Sequence, residues 1–196
     1  SNIIQDARLI KGSFPARYGG RLSSVLDIKT KDGNKNNIEG EFSISTIASK
    51  AHLEIPIIKG KSSFLISYRR TFADPWIKGI SSYINQTSDT EGNTSYSFDD
   101  LNAKINFDIG KNHRLSLSYY KGNDGLNTSS IFNKTPDEIS YIEESYLNQN
   151  WGNSIVALHF DSRVGGKSFS KITFYQSKWE NENYRFKRFA TDSASV

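Results

Sequence analysis

The feature that most constrains this fold is a period-two alternation of apolar and polar residues, repeated along most of the chain. Residues 101–109, Leu-Asn-Ala-Lys-Ile-Asn-Phe-Asp-Ile, alternate at every position. Successive side chains of a β-strand point to opposite faces, so this pattern predicts strands with one apolar and one polar face. Similar patterns occur in residues 38–45, 52–55, 63–70, 114–120, 156–161 and 169–179. We therefore predict an all-β, antiparallel fold.

The composition is unusual for a soluble domain built from such strands. Hydrophobic residues make up only 36% of the chain, aromatic residues reach 13%, and methionine is absent. A small share of apolar residues combined with many aromatic residues is typical of a membrane barrel with an apolar outer face and a wet inner face. Intrinsically disordered chains lack aromatic and β-branched residues, so disorder fits poorly. No apolar run approaches the length of a transmembrane helix.

The connections between the predicted strands alternate between short and long. Tight turns are predicted at residues 59–61, 110–113 and 165–167, and polar loops at residues 73–97, 122–150 and after 181. Short periplasmic turns opposite long extracellular loops are the layout of an outer-membrane barrel. A soluble β-sandwich also carries long loops and stays open as an alternative.

Aromatic residues cluster where the predicted strands meet the long loops. Tyrosine and tryptophan favour the membrane–water interface because they have an apolar body and a polar tip. Their bunching at one end of successive strands predicts an interfacial girdle, although aromatic residues are also good strand formers. The predicted interface aromatics are Phe72, Trp76, Tyr119, Tyr120, Tyr146, Trp151, Trp179 and Tyr184.

The opening of the chain differs from the rest. Residues 6–11 and 22–31 are predicted strands, and Val25, Leu26 and Ile28 are contiguously apolar, as in a small soluble core. Residues 10–28, IKGSFPARYGGRLSSVLDI, strongly resemble the end of the plug domain of TonB-dependent receptors of the Bacteroidetes type. The pairs Lys-Gly at 11–12 and Tyr-Gly at 18–19, and the segment VLDIKTK at 25–31, match that family in order and spacing. One departure is Ile55, where relatives often carry glycine before the proline.

The resemblance implies a fold and a domain division. Family members have about 22 antiparallel transmembrane strands around a plugged lumen. We expect residues 1–35 to be the C-terminal part of the plug domain and residues 36–196 to form about seven strands at the N-terminal part of the barrel. Most of the plug and barrel, and the TonB box on which the energising partner pulls, are expected outside this sequence.

The resemblance also implies TonB-dependent active import of a nutrient across the bacterial outer membrane. An iron chelate, a vitamin, an oligosaccharide or a peptide fits the family as substrate. The implied partners are outer-membrane lipid, the small nutrient ligand, the TonB complex and, in some relatives, a surface lipoprotein. A passive or adhesive outer-membrane barrel and a soluble sandwich that binds a ligand are the alternatives.

A plug–barrel contact is the main site predicted. The two arginines of the loop at residues 17–21 are expected to pair with inward carboxylates on the barrel wall. The loop residues are Arg17, Tyr18, Gly19, Gly20 and Arg21, and the carboxylates are Glu39, Glu41 and Glu54.

No feature of the sequence predicts catalysis or a cofactor. The chain has no cysteine, its three histidines are far apart without metal-ligand spacing, and no nucleophile elbow, P-loop or zinc-protease motif is present. Lysine and arginine are scattered beside acidic residues and form no basic stripe for nucleic acid. We therefore expect a non-enzymatic protein without a metal or nucleic-acid site.

Overall fold

The computed structural model describes residues 3–12, 15, 24–87, 90–134, 140–165 and 168–192, and in these ranges the chain is almost entirely β-structure. A two-stranded antiparallel sheet, here called the hairpin sheet, pairs β1 (Ile4–Lys11) with β2 (Ser24–Thr30). Residues 31–38, here called the linker, connect it to a seven-stranded sheet. The large sheet contains β3 (Glu39–Ile44), β4 (Ala48–Ile58), β5 (Ser62–Thr71), β6 (Thr90–Ile109), β7 (His113–Lys134), β8 (Ser140–Val164) and β9 (Ser168–Asp192).

The seven strands of the large sheet pair antiparallel in chain order, from β3 at one edge to β9 at the other. Each alternating segment of the sequence lies in one of these strands, so the predicted all-β, antiparallel class is confirmed. Within the described residues β3 and β9 do not pair with each other, and the sheet is open.

The last four strands are much longer than the alternation indicates. Strands β6 to β9 contain 20, 22, 25 and 25 residues, so the longest span roughly 80 Å at about 3.3 Å per residue. The predicted polar loops at residues 73–97 and 122–150, and the one after residue 181, are therefore wrong over most of their length. The alternation disappears there because both faces are mostly polar and carry only scattered apolar residues, whereas the backbone pairing continues.

Residues 73–97 contain, besides the start of β6, the α-helix α1 (Asp74–Thr87). In the part of the chain that the structure describes, no helix combines the length and the apolar character needed to cross a bilayer.

One face of the large sheet carries a band of apolar side chains near the tight turns. On β6 the band runs from Leu101 to Ile109, which is about 27 Å along the strand. Its side chains are half-buried or exposed, and the exposed ones include Leu117 at 44% and Phe174 at 69%. We call this band the apolar belt. It comprises Leu53, Ile55, Phe64, Ile66, Tyr68, Leu101, Ala103, Ile105, Phe107, Ile109, Leu115, Leu117, Tyr119, Val156, Leu158, Phe160, Ile172 and Phe174.

Beyond the belt, the same face becomes polar on every long strand. On β6 the sequence continues outward with Asp99, Ser97 and Ser95, and on β7 with Lys121 and Asn123. The belt is therefore bounded in height, with polar sheet rising above it.

The opposite face, here called the polar face, is hydrophilic at the level of the belt. Asn102, Lys104, Asn106 and Asp108 lie on it, as the alternation of residues 101–109 requires. Its other polar members at this level are Lys50, His52, Glu54, Ser63, Ser67, Arg69, Arg114, Ser116, Ser118, His159, Asp161, Lys171 and Thr173.

An ordinary apolar core is nearly absent from the described residues. The buried hydrophobic side chains there are Ile3, Leu65 and Ala157. The prediction of a small soluble core around Val25, Leu26 and Ile28 is wrong, because Leu26 and Ile28 are exposed on the hairpin sheet. A two-stranded sheet has too little surface to bury its own apolar side chains.

Candidate functional site

The linker lies on the polar face of the large sheet and is bound to it by charged and polar side chains. Lys31 Nζ lies 2.8 Å from Glu54 Oε1, and the backbone N–H of Asn34 donates to Glu54 Oε2 at 2.8 Å. The Ser63 hydroxyl donates to the carbonyl oxygen of Gly33 at 2.7 Å. Strands β4 and β5 therefore hold the linker through both its backbone and its side chains.

Asp32 carries the linker contact with the next two strands. Its two carboxylate oxygens lie 2.8 Å from Lys104 Nζ on β6 and 2.8 Å from Arg114 Nη1 on β7. Lys104 also donates to the carbonyl oxygen of Thr30 at 3.0 Å. Arg114 in turn contacts Asp108 at 2.7 Å, and Lys35 of the linker forms an ion pair with the same carboxylate. A continuous network of alternating charge thus joins the linker to β6 and β7.

The contact is close enough to bury polar groups completely. Glu54 is only 4% exposed, and Ser63 and Asn106 are fully buried, with the Asn106 amide donating to the Ser63 hydroxyl at 2.8 Å. A buried carboxylate is costly unless it is paired. Lys31 and the backbone N–H of Asn34 supply that pairing. The linker and the polar face of the large sheet, here called the wall, therefore depend on each other.

Gly33 makes the close approach possible. A Cβ atom at this position would stand 2.8 Å from the carbonyl oxygen of Phe64 and 3.2 Å from the Ser63 hydroxyl oxygen. The backbone of β5 cannot move aside without breaking its ladder, so a side chain on Gly33 is incompatible with this geometry.

The predicted plug–barrel residues are distributed as follows. Arg17, Tyr18, Gly19, Gly20 and Arg21 lie outside the described residues. Glu54 binds the linker, and Glu39 accepts a hydrogen bond from the Asn34 side chain. Glu41 instead lies 3.0 Å from Lys50 on the neighbouring strand of the same sheet.

Sequence reasoning misses the central members of the network. It does not single out Asp32, Lys35 or Arg114, and it includes Lys104 and Asp108 only as polar residues of an alternating strand. The alternation does place Lys104, Asp108 and Arg114 on the polar face, but it does not indicate that the linker lies against them.

The predicted interface aromatics do not form a single girdle. Tyr119 lies on the belt face at the upper edge of the belt, together with Tyr68, which is not among the predicted aromatics. Phe72 and Trp76 lie beyond the end of β5, near the β3–β4 turn.

The other five predicted aromatics lie elsewhere on the long strands. Tyr120, Trp151 and Trp179 lie on the polar face, and Tyr146 and Tyr184 lie on the belt face but far above the belt, with ring centroids 6.2 Å apart. Tyr120 is level with Tyr119 but lies on the opposite face. The prediction of one level is wrong for the other four because it locates strand ends from the sequence, whereas the strands continue.

A second cluster of polar contacts lies on the polar face at the upper edge of the belt. Arg69 pairs with Asp100, the Tyr120 hydroxyl donates to Asp100 at 3.0 Å, and the Tyr96 hydroxyl donates to Asp124 at 3.0 Å. Burial, and then the hydrogen bond to Asp124, raise the pKa of the Tyr96 phenol. These contacts tie β5, β6 and β7 together above the linker.

The hairpin sheet stands away from the polar face, and a cavity of about 1250 Å³ separates them. Charges of both signs line it, among them Arg8 and Asp27 from the hairpin sheet and Arg69, Asp161 and Lys171 from the wall. Apolar side chains, among them Ile28 and Ile155, line the rest of it. In the described ranges, no group of three or more His, Asp or Glu side chains is arranged to hold a metal ion.

The geometry is thus a polar wall that holds a linker, with a hairpin sheet in front of it and an apolar belt behind it. Comparison with protein-family models, with curated proteins and with solved structures finds no match to this chain.

Proposed function

We propose that this chain is part of a TonB-dependent transporter of the bacterial outer membrane, comprising the end of its plug and seven strands of its barrel. The observation that carries the proposal is the two-faced sheet. An exposed apolar belt covers one face over the nine residues from Leu101 to Ile109 of β6, which matches the roughly 9–11 residues that a tilted strand needs to cross a bilayer. The other face is polar and binds the linker.

The strand layout supports the same proposal. Short turns join β4 to β5 and β6 to β7 at the belt end of the sheet, while the long strands extend from the opposite end. In outer-membrane barrels the short turns are periplasmic and the long extensions are extracellular. Strands β6 to β9 then rise above the outer surface as a wall on which ligand is captured.

The cavity and the linker supply the parts that transport requires. The hairpin sheet represents the end of the plug, and a cavity lined in part by charged side chains separates it from the wall. The linker stays on the wall through Asp32 and Glu54. The chemistry is binding and gating, with no covalent step.

A soluble sandwich is less consistent with this geometry. A sandwich buries the apolar face of each sheet against a second sheet. Within the described residues nothing covers the belt, where Leu158 is 38% exposed although β8 has a neighbouring strand on each side.

The transmembrane part of the proposal is tested by cysteine scanning, because the chain has no native cysteine. Single cysteines at Ala103, Ile105 and Phe107 are expected to resist a membrane-impermeant maleimide in cells. Cysteines at Asn102 and Ser118, on the polar face, are expected to react once the outer membrane is permeable to the reagent. Equal reactivity on both faces would contradict a membrane-spanning sheet.

Active transport is separated from a passive or adhesive barrel by the energy dependence of the hairpin sheet. A cysteine at Arg8 faces the cavity and is expected to change its labelling rate when a protonophore removes the proton gradient. A cysteine at Ser67 on the fixed wall serves as the control and is expected to keep its rate. An unchanged rate at Arg8 supports the passive alternative.

A further inference from the structure

The helix α1 begins at the rim of the apolar belt. Strand β5 ends at Thr71, only three residues beyond Tyr68 at the upper edge of the belt. The Phe72 N–H donates to the carbonyl oxygen of Ile47 at 2.8 Å, and the Trp76 indole N–H donates to that of Thr46 at 2.8 Å. The first turn of α1 is therefore fixed over the β3–β4 turn, just above the belt.

One side of α1 is polar and faces the free edge of β6. The Asn85 side chain donates to the carbonyl oxygen of Gly92 at 2.9 Å and accepts from its N–H at 2.9 Å. Lys78 and Ser82 line the cleft between helix and strand, opposite Glu91. The helix thus takes the place that a longer β5 would occupy beside β6. Through Asn85 it forms hydrogen bonds with backbone groups at an otherwise unpaired strand edge.

The other side of α1 is apolar and exposed. Trp76, Ile80 and Tyr83 are 56%, 62% and 70% exposed, and their spacing of four and three residues places them on one side. At about 100° per residue they lie roughly 140–180° around the helix from Asn85.

This surface is continuous with the belt below it. Ile44, Ile47 and Phe72 are exposed between the top of the belt and the first turn of the helix. The indole N–H of Trp76 is already bonded to Thr46, so its exposed ring surface needs no further polar partner.

We infer that α1 is an interfacial helix that lies on the outer surface of the bilayer with its Trp76–Ile80–Tyr83 side in contact with lipid. The inference rests on the proposed function, since it requires the belt to be in a membrane. At about 1.5 Å per residue the 14-residue helix is about 21 Å long, too short to cross the hydrocarbon core. Tryptophan and tyrosine are the residues that favour the boundary between lipid and water.

Lipid explains the arrangement better than a protein partner does. If the belt lies in a membrane, the bilayer surface already reaches the height of α1. Contact with lipid then requires no specific binding site on the helix. The polar side is already occupied by β6. Burial of three large apolar side chains in the boundary region then holds the β5–β6 connection down and keeps it out of the lumen.

The inference is tested by spin-label accessibility in protein reconstituted into phosphatidylcholine vesicles. A nitroxide is attached to a single cysteine at Ile80, at Gln86 on the polar side of the same helix as the matched control, or at Leu117 in the belt. Collision with oxygen reports lipid contact, and collision with a water-soluble nickel complex reports water. The oxygen-to-nickel ratio is expected to be highest at Leu117, and several-fold higher at Ile80 than at Gln86.

Each other outcome is decisive. If the Leu117 label is as accessible to nickel as the Gln86 label, the belt is not in the membrane and the proposed function fails. If Leu117 reports lipid but Ile80 matches Gln86, only the interfacial helix is overturned. If Ile80 is shielded from both reagents, the helix side is covered by protein, and the inference is equally overturned.

Discussion

The backbone of Gly33 lies so close to strand β5 that a Cβ atom on this residue would stand 2.8 Å from the carbonyl oxygen of Phe64. The linker and the wall are therefore fitted to each other at backbone level. This contact adjoins the ion pairs of Asp32 and the buried carboxylate of Glu54, so it sets the distance at which those charges meet.

Replacing Gly33 by alanine is expected to loosen the linker. The added methyl group must push the linker off β5, and overpacking of this kind costs about 1–3 kcal/mol. Urea unfolding in detergent is expected to show that loss, and hydrogen exchange is expected to be faster at the Asn34 amide, which donates to Glu54. Gly79→Ala is the matched control, because a Cβ there meets no atom within 4 Å and alanine favours the helix by about 1 kcal/mol. An equally stable Gly33→Ala protein would contradict the fit described above.

Asp32 and Lys104 are expected to contribute to the free energy of unfolding in a coupled manner. Both side chains are partly buried, so their interaction is less screened than that of a surface pair. A double-mutant cycle with Asp32→Asn and Lys104→Gln is expected to give an interaction energy of roughly 1–2 kcal/mol.

Lys178 and Glu180 provide the control cycle for that measurement. They form a pair on the edge strand β9 with about two-thirds of each side chain exposed, and exposed ion pairs contribute little. If the two cycles give the same small coupling, the charge network is not what holds the linker.

The face on which a side chain lies can be predicted from the sequence, because it depends only on the period of the strand. Asn102, Lys104, Asn106 and Asp108 lie on one face for that reason, and the strands near the tight turns lie where the alternation predicts them. The turn between Ile109 and His113 also fixes the register of β6 against β7.

The contacts between distant strands cannot be predicted in this way. Asp32 meets Lys104 only after the linker has turned back over β4 and β5, and no local pattern encodes that path. The upper parts of β6 to β9 escape prediction for a different reason. When both faces of a strand are polar, hydropathy does not alternate from residue to residue. The hydrogen bonds between neighbouring strands are nevertheless the same.

The paired hydrogen bonds between Asn85 and Gly92 are expected to protect the edge of β6. Asn85→Ala removes both, and at about 1 kcal/mol for each bond the Gly92 amide is expected to exchange up to roughly 30-fold faster with solvent. Gln86→Ala, on the neighbouring and more exposed position of α1, is expected to leave that rate unchanged. Unchanged exchange in the Asn85 variant would show that the edge is covered by some other group.

A charge introduced on the belt face is expected to lower the free energy of unfolding by an amount that depends on its position along the strand. Leu117→Arg puts a guanidinium near the middle of the belt on β7, where an arginine on the lipid face costs about 2–4 kcal/mol. Ser129→Arg is the matched control on the same face of the same strand, twelve residues farther from the tight turn and well above the belt, where the cost is expected to be about 0–1 kcal/mol. Equilibrium unfolding from phosphatidylcholine vesicles measures both values. Because the two variants add the same charge to the same strand, a difference between them reports the medium that the side chain meets, and equal costs would mean that the belt faces water.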